Sequence, residues 1–592
     1  MRVRSARRCA LAVGLVAAAA GCVAVATAPS TSPTASAAGM APSRPVAYPL
    51  PGTTTANPRT QISFRGLAPD KIGTVTVTGS RSGRHSGSLR AHSDRLGASF
   101  VPVRPFSPGE RVAVRSRRIT YSFTIGRRPA RVPPRPSELP DVGRGAVQRF
   151  STRGDIVPPA VTVTKREEGR APGLVFLAPK AGRGQDGPMI IDDFGNLVWF
   201  HPSPNRELAT DFRVQTYQGQ PVLTWWQGRL SGGEGEGEGV LYDTSYQPVR
   251  RVRAGNGFYA DGHEFQLTDH DTALLIAYDP ILRDLSHIGG RGSVVQAVIQ
   301  EIDIATGLVL FEWHSLGNIA YAESHQRLPQ YGGKWDYVHP NSVDLDADGD
   351  FILSARHTST VYKISRTTGR IVWRLNGKDS DFKMGPGTSF FNQHDARVEP
   401  DGNLTLFDNA SPPPKRKASR GLTLKLDTQA MTATLVSART HPLNLLAATQ
   451  GGAQRLPNGN LFVGWGSQRY FSEFDANGNV VFDGEIAPGG DNYRAYRFPW
   501  TGRPTRPPDL IAARDGDRVR ARVSWNGATG VASWELWAGP SREALARVKG
   551  DTARGFETAI SAATPERYVA VRALDAAGTV LGTSATVDTS AR

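Results

Sequence analysis

The sequence predicts an all-β chain of several domains, on three observations. Its 592 residues include 63 glycines and 42 prolines, a density of turn formers that suits many short strands. Alternating apolar stretches are joined by Asp-Gly or Asn-Gly turns, as in "VDLDADGDFILSAR" from Val343 and "QRLPNGNLFVGWG" from Gln454, the local signature of a hairpin. The hairpins recur: Val398 in "VEPDGNLTLFDN" follows Val343 by 55 residues, and Gly459 follows Gly402 by 57. A mean hydropathy of −0.34 marks a soluble chain, long enough to bury a large core.

Taken in order, residues 1–37 open with Arg2, Arg4, Arg7 and Arg8 and continue into the uncharged "ALAVGLVAAAAGCVAVATA". That order is an export signal cut after Ala37 or, alternatively, a degenerate lipoprotein signal ending at Cys22 or an uncleaved anchor. The expected location is extracellular or at the cell surface. Cys9 and Cys22 are the two cysteines and both fall here, so neither disulfides nor thiolate chemistry are expected. Six short alternating stretches, from "QISFRGL" to "TYSFTI", predict a small Ig-like β-sandwich over 45–126. The basic, proline-rich "GRRPARVPPRPSELP" reads as an extended linker within 127–158. Strand stretches after Arg506 predict a fibronectin III-like sandwich over 506–592, with Trp525, Trp534, Trp537 and Tyr568 as its core.

The middle, 159–503, pairs each Gly-turn hairpin with a second one, in "EIDIATGLVLFEW", "KISRTTGRIVWRL" and "EFDANGNVVFDGE". Two hairpins per unit make the four strands of a β-propeller blade. Five to seven blades fit the length, and six fit it best. Trp199, Trp313 and Trp373 close second hairpins, where they suit packing between blades.

Aligning the units brings three histidines into register. His263, His339 and His394 each stand four residues before the equivalent apolar position, Leu267, Val343 and Val398, whereas the next unit has Gly451 there. A strand-capping role would suffice for one histidine; three at equivalent blade positions converge on the propeller axis. Arg356, ending the second strand in "FILSARHTS", leans toward the same mouth, with His357 turned to the opposite face. Imidazoles alone suit a metal, but an arginine beside them opposes a dication. Arginine and histidine donors together suit a sulfuryl or phosphoryl group. The remaining histidines, His201, His270, His287, His314, His325 and His441, are out of register and read as surface or loop residues.

The run "HPNSVDLDADGDFILSARHTSTVYKISRTTGRIVWRLNG", followed by "FNQHDARVEPDGNLTLFDN", resembles the bacterial arylsulfate sulfotransferase family. The resemblance implies a six-bladed propeller and an enzyme independent of PAPS and of cofactors. It moves a sulfuryl group from a phenolic sulfate ester to a phenol, through a sulfated histidine. Carried over by motif, His394 in "NQHDA" is the nucleophile. His339 in "HPNS" and Arg356 in "SARH" bind the sulfuryl oxygens, and His263 in "GHEF" assists in proton transfer. The family's disulfide has no counterpart here, and its N-terminal domain is shaped differently.

Other signals carry less. Asp344, Asp346 and Asp348 have the spacing of a calcium loop, but Ala355 stands where its glutamate belongs, leaving at most a partial structural Ca²⁺ site. "GGEGEGEG" at 232–239 reads as a flexible acidic loop, and "SPPPKRKASR" at 411–420 as a solvated basic loop near the funnel. Trp225, Tyr331 and Trp335 are candidate aromatic walls for a phenol. The formal charge of +16 suggests a cell-envelope surface or a small anion as partner, and not nucleic acid, for which there is no motif. The competing function is a non-catalytic, envelope- or polysaccharide-binding propeller. A quinoprotein dehydrogenase fits poorly, lacking the tryptophan-rich repeats and vicinal cysteines.

Overall fold

The computed structural model describes residues 44–133, 145–290, 292–329 and 333–590, all within one compact unit, Met40–Arg592. Residues 1–37, read above as an export signal, and Tyr331 lie outside these residues. The described chain is built of strands; its sole α-helix is the single turn Pro69–Ile72.

Six sheets fill the middle, each built on four antiparallel strands in sequence order except where the ends interlock; the third and fifth gain a short parallel strand, Lys334–Asp336 and Lys383–Met384. The second sheet is Leu208–Tyr217, Gln220–Ser231, Glu234–Tyr242 and Pro248–Val252; the third begins at Phe265–Leu267, the fourth at Pro340–Leu345, the fifth at His394–Val398 and the sixth at Gly452–Arg455. The first sheet takes three strands from 174–200 and its fourth from Tyr496–Phe498, which pairs with Leu174–Leu177. Val161–Arg166 instead adds to the outer strand of the sixth sheet, Val480–Ile486. The two chain ends of this region are thereby stitched into neighbouring sheets. Each sheet touches the next, and Tyr496–Phe498 touches both the second and the sixth, so the contacts run in a closed cycle.

Apolar side chains between adjacent sheets supply the core. Trp199 of the first sheet packs with Phe212 and Trp225 of the second; Trp313 of the third packs with Phe351 and Tyr362 of the fourth and donates Nε1–H to the Gly369 carbonyl at 2.8 Å; Trp373 packs on Leu422 and Leu424 of the fifth. Sheets covered on both faces leave little room for polar alternation, which is why adjacent Trp225 and Trp226, on opposite faces, are both fully buried.

Two four-stranded sheets, Val46–Tyr48 with its partners and Gly83–His85 with its partners, enclose Ile62, Phe64, Val77, Val112 and Phe123. At the other end a three-stranded and a five-stranded sheet enclose Val519, Leu536, Ile560 and Val571. Trp534 belongs to this core but Trp537, three residues on in the same strand, does not: it faces outward under the Arg572 guanidinium, 3.6 Å from the ring centroid. An odd spacing on a strand cannot put both rings on one face.

Several sequence expectations need correction. Only Gly232 and Gly233 of the "GGEGEGEG" stretch form a turn; Glu234–Tyr242 is a strand paired along Gln220–Ser231. Its glycines face a neighbour too close for any side chain, a Cβ at Gly237 falling 2.2 Å from the Gln227 carbonyl and one at Gly239 2.2 Å from the Phe265 ring. The glutamates face outward, Glu238 to Arg251 and Arg253, and Glu234 to Lys334. In the basic 411–420 stretch, Arg416 and Arg420 both pair with buried Asp408 and are not free to attract substrate. In the supposed calcium loop Lys363 Nζ occupies the space between Asp346 (2.6 Å) and Asp348 (2.8 Å). Asp344 turns away to accept from the Leu345 and Val398 amides. An ammonium already balances these carboxylates, so the residues do not fit a Ca²⁺ site. His314 and His441 are buried, on Glu312 and Asp483 respectively, rather than on the surface.

Candidate active site

His263, His339 and His394 precede or start the first strands of the third, fourth and fifth sheets, and the cycle of sheets brings them together. The His263 and His339 ring centroids are 5.1 Å apart, and those of His263 and His394 6.5 Å. All three line one cavity of about 840 Å³ together with Arg356, His357, Asp336, Lys180, Gln450 and Tyr493. His339 holds a positive φ of 51°, a conformation that costs a non-glycine residue energy and concentrates at functional sites.

Hydrogen bonds fix which nitrogen of each ring faces the cavity. Asn409 donates its amide hydrogens to the carbonyls of Ala447 (3.1 Å) and Gln450 (2.9 Å), so its Oδ1 is an acceptor, 2.8 Å from His394 Nδ1. His394 therefore carries its proton on Nδ1 and a lone pair on Nε2, which accepts from the Gln450 backbone N–H at 3.2 Å. His263 Nδ1 donates to Asp261 Oδ1 and His339 Nδ1 to Asp336 Oδ2, both at 2.5 Å. All three rings are thus held at Nδ1, two by carboxylates and one by an amide.

Arg356 is held by its neighbour. Its Nη1 donates to His357 Nε2 at 2.8 Å, and its Nη2 to the Ala448 carbonyl at 3.2 Å. Because a guanidinium only donates, His357 Nε2 must accept, and His357 Nδ1–H donates to the Asp336 carbonyl at 2.6 Å. Asp336 thereby anchors His339 through its carboxylate and Arg356 through His357. The Nε of Arg356 is buried with no partner among the described residues. His357 lies on the cavity side, its ring 4.5 Å from His339, and not on the opposite face. The strand ends at Ala355 and turns at once, so strand alternation no longer governs residue 357.

Burial, reinforced by Arg356 and His263, holds the His394 imidazole well below the usual histidine range. Burial and His263, with Arg356, do the same to His339. Burial and the neighbouring His339 bring His357 down to about 3. Burial raises the Asp336 carboxyl, against the opposing pull of His357. The His339, His357 and His394 rings are neutral near pH 7, the form in which His394 Nε2 is nucleophilic.

Asp336, His339 and His357 could place ligand atoms within 4.8 Å of one another. Both nitrogens of His357 are already engaged by Arg356 and the Asp336 carbonyl, so the set does not fit a metal ion without dismantling the arginine's support.

The aromatic walls are not where the sequence suggested. Trp225 is fully buried between the first and second sheets, and Trp335 is packed on Tyr321 and Tyr337. Neither borders the cavity. Its apolar wall is Leu208 and Leu230, with Gly232 and Gly233 of the hairpin turn. Sequence reasoning missed Asp261, Asp336, Asn409 and His357. The available signal was an acid two or three residues before a registered histidine, in "DGHEF" and "DYVHP".

Likeness to solved structures is distant. A Bacteroides caccae protein of unknown function is 12% identical (TM-score 0.34; 55% of this chain, 98% of that one). A Lactobacillus plantarum protein is 14% identical (TM-score 0.31; 66% and 99%). A virginiamycin B lyase from Staphylococcus aureus crystallised with quinupristin is 9% identical (TM-score 0.27; 61% and 95%). No curated protein matches the chain. Residues 213–487, which carry His263, His339, Arg356 and His394, match the model of the arylsulfotransferase (ASST) family.

Proposed function

We propose that the protein is a PAPS-independent aryl sulfotransferase, working by a ping-pong route through sulfated His394 on a six-bladed propeller spanning 159–503. One observation carries the reading: a histidine whose proton is fixed on Nδ1 lines a cavity with two further histidines and an arginine whose Nε has no partner among the described residues, and its Nε2 lone pair is released for attack by breaking the 3.2 Å bond from the Gln450 amide. The sulfate ester would lodge with its oxygens toward Arg356 and His339 and its ring against Leu208 and Leu230. His394 Nε2 then attacks sulfur; the N–S bond forms as the S–O(aryl) bond breaks, and the electron pair leaves on the phenolate oxygen. The phenolate takes a proton from solvent, relayed by His263, whose Asp261 partner stabilises the transient imidazolium form. In the second half an acceptor phenol returns its proton to the same base and attacks sulfur, releasing His394.

An enzyme of this kind needs a phenolic sulfate donor and a phenol acceptor, and no metal or organic cofactor. The export signal at 1–37, action at the cell surface and attachment to the envelope through Cys22 belong to the same proposal. A ring serving only as a binding platform does not account for three histidines each held at Nδ1 beside an arginine.

The test is intact mass spectrometry after mixing with 4-nitrophenyl sulfate. Wild-type protein should gain one sulfuryl group, lost again on adding phenol, while His394→Ala gains none. Nitrophenol release by His394→Ala at the wild-type rate, or an adduct on another residue, would overturn the nucleophile assignment.

A further inference from the structure

The chain's positive charge is concentrated in one place. Residues 44–133 hold 16 Lys/Arg against 3 Asp/Glu, a net +13 of the chain's +16. All three acids are already engaged: Glu110 is buried and accepts from the amides of Arg81, Ser82 and Ser107, Asp94 pairs with Arg65, and Asp70 with Lys71. Fourteen of the sixteen bases are exposed; the exceptions are Arg65 and Arg128.

The outer face of one sheet shows what this composition builds. Gly83–His85, Thr76–Gly79, Arg111–Arg115 and Thr120–Thr124 lie side by side in that order. Their inward residues Val77, Val112, Val114 and Phe123 enter the core. Register places Arg84 beside Thr78, Arg111 beside Thr124, and Ala113 between Thr78 and Ser122, with Arg115 further along the same strand. The Arg111 guanidinium donates to Ser122 Oγ from Nε (3.0 Å) and Nη2 (2.8 Å), which leaves the hydroxyl hydrogen free to donate outward. Arg117 and Arg118 extend the cations into the following turn, both exposed. No carboxylate and no aromatic ring belongs to this face.

We propose that this arginine and hydroxyl face binds a linear phosphodiester polymer, independently of the sulfuryl-transfer site. Guanidinium forks match the two free oxygens of a phosphodiester. Phosphodiester oxygens are stronger acceptors than those of a sulfate ester, so a face half made of hydroxyl donors favours phosphate over sulfate. Ala113 is the face's apolar contribution, which gives a bilayer nothing to insert around. The missing rings remove the stacking platform on which single-stranded nucleic acids are held.

Full-length protein should be titrated with poly(glycerol phosphate) at salt concentrations between about 50 and 200 mM, where counterion release makes phosphate contacts visible as a slope. The triple variant Arg84→Gln, Arg111→Gln, Arg115→Gln should bind about tenfold or more weakly, with the slope of log affinity against log salt shallower by about two. Replacing the same three residues by lysine should keep most of the slope, and 4-nitrophenyl sulfate turnover should be equal in all three proteins. The proposal is overturned if wild type does not bind the polymer or if the glutamine variant binds it unchanged. It is equally overturned if phosphatidylglycerol vesicles, duplex DNA or dextran sulfate bind more tightly than poly(glycerol phosphate).

Discussion

Asn409 decides how His394 differs from the other two histidines. An amide oxygen can hold the Nδ1 proton but cannot accept it, so a sulfated His394 would keep that proton and remain a cationic, reactive sulfuryl donor. A carboxylate there would drain the positive charge and leave a sluggish intermediate. Asn409→Asp should therefore form the adduct but discharge it slowly, lowering turnover by about 10–100-fold, with a burst of nitrophenol before a slow steady state. It should also raise the His394 pKa, so that activity is lost as pH falls at a higher pH than in wild type. Asn409→Ala should slow adduct formation itself, with no burst. Rapid-mixing kinetics distinguish these outcomes, and identical behaviour of the two variants would show that Asn409 only fills space. The three histidines were legible because they repeat in register, and Arg356 because it stands at the end of the second strand of the His339 unit. Their partners were not: Asp261 and Asp336 stand two and three residues before their histidines, an interval that does not repeat across the three units, and Asn409, fifteen after, is brought to the ring by the pairing of His394 with Phe407.

The strand Glu234–Tyr242 shows where reading elements from residue types fails. Glycine and glutamate both disfavour strands in isolation, yet here their alternation records one face with no room and one face of ion pairs. Gly237→Ala would drive a Cβ against the Gln227 carbonyl, a backbone atom that cannot swing aside. We expect a loss of about 1–3 kcal/mol, the range for overpacking. Glu236→Gln, on the outward face, should stay within about 0.5 kcal/mol of wild type. Urea unfolding of the two variants checks this, and equal midpoints would mean that the hairpin is not packed as described. The same strand-level blindness misplaced Trp225 and Trp335. Periodicity shows that an aromatic faces one side, but when sheets are covered on both sides it does not show which side holds the cavity.

At the scale of the whole molecule, a buried charge network joins the sheets beside the histidines. Asp211, Glu264 and Asp395 meet Arg213, Arg397 and Arg494, all with nearly inaccessible side chains. Glu264 and Asp395 each follow a site histidine in sequence, so alternation turns one residue to the cavity and the next into this network. The sheet-forming repeats were readable, while the pairing of Val161–Arg166 with the last strands of the region was not, since nothing local marks a partner 300 residues away. Acid sensitivity follows from a related motif. His92 Nδ1 accepts from Arg65 Nη1 at 3.1 Å, and its Nε2 lies 2.8 Å from Ser99 Oγ. Burial and Arg65 bring it from 6.5 down to about 4. The folded protein holds this ring neutral while the unfolded chain protonates it below 6.5, so its contribution to stability is complete above pH 6.5 and is lost as pH falls toward 4. The slope is about 1.4 kcal/mol per pH unit for one such group. Carboxylates with raised values, such as Asp186 at about 6, work in the opposite sense, so the informative quantity is a difference between proteins. His92→Gln keeps an acceptor for Arg65 but removes the titration. We expect wild type to lose stability relative to His92→Gln progressively from pH 6.5 to 4, in urea midpoints measured side by side, and to show a constant difference above pH 7. A difference that stays constant down to pH 4 would mean that the ring is protonated as readily in the folded protein as in the unfolded chain, and that Arg65 does not hold it neutral.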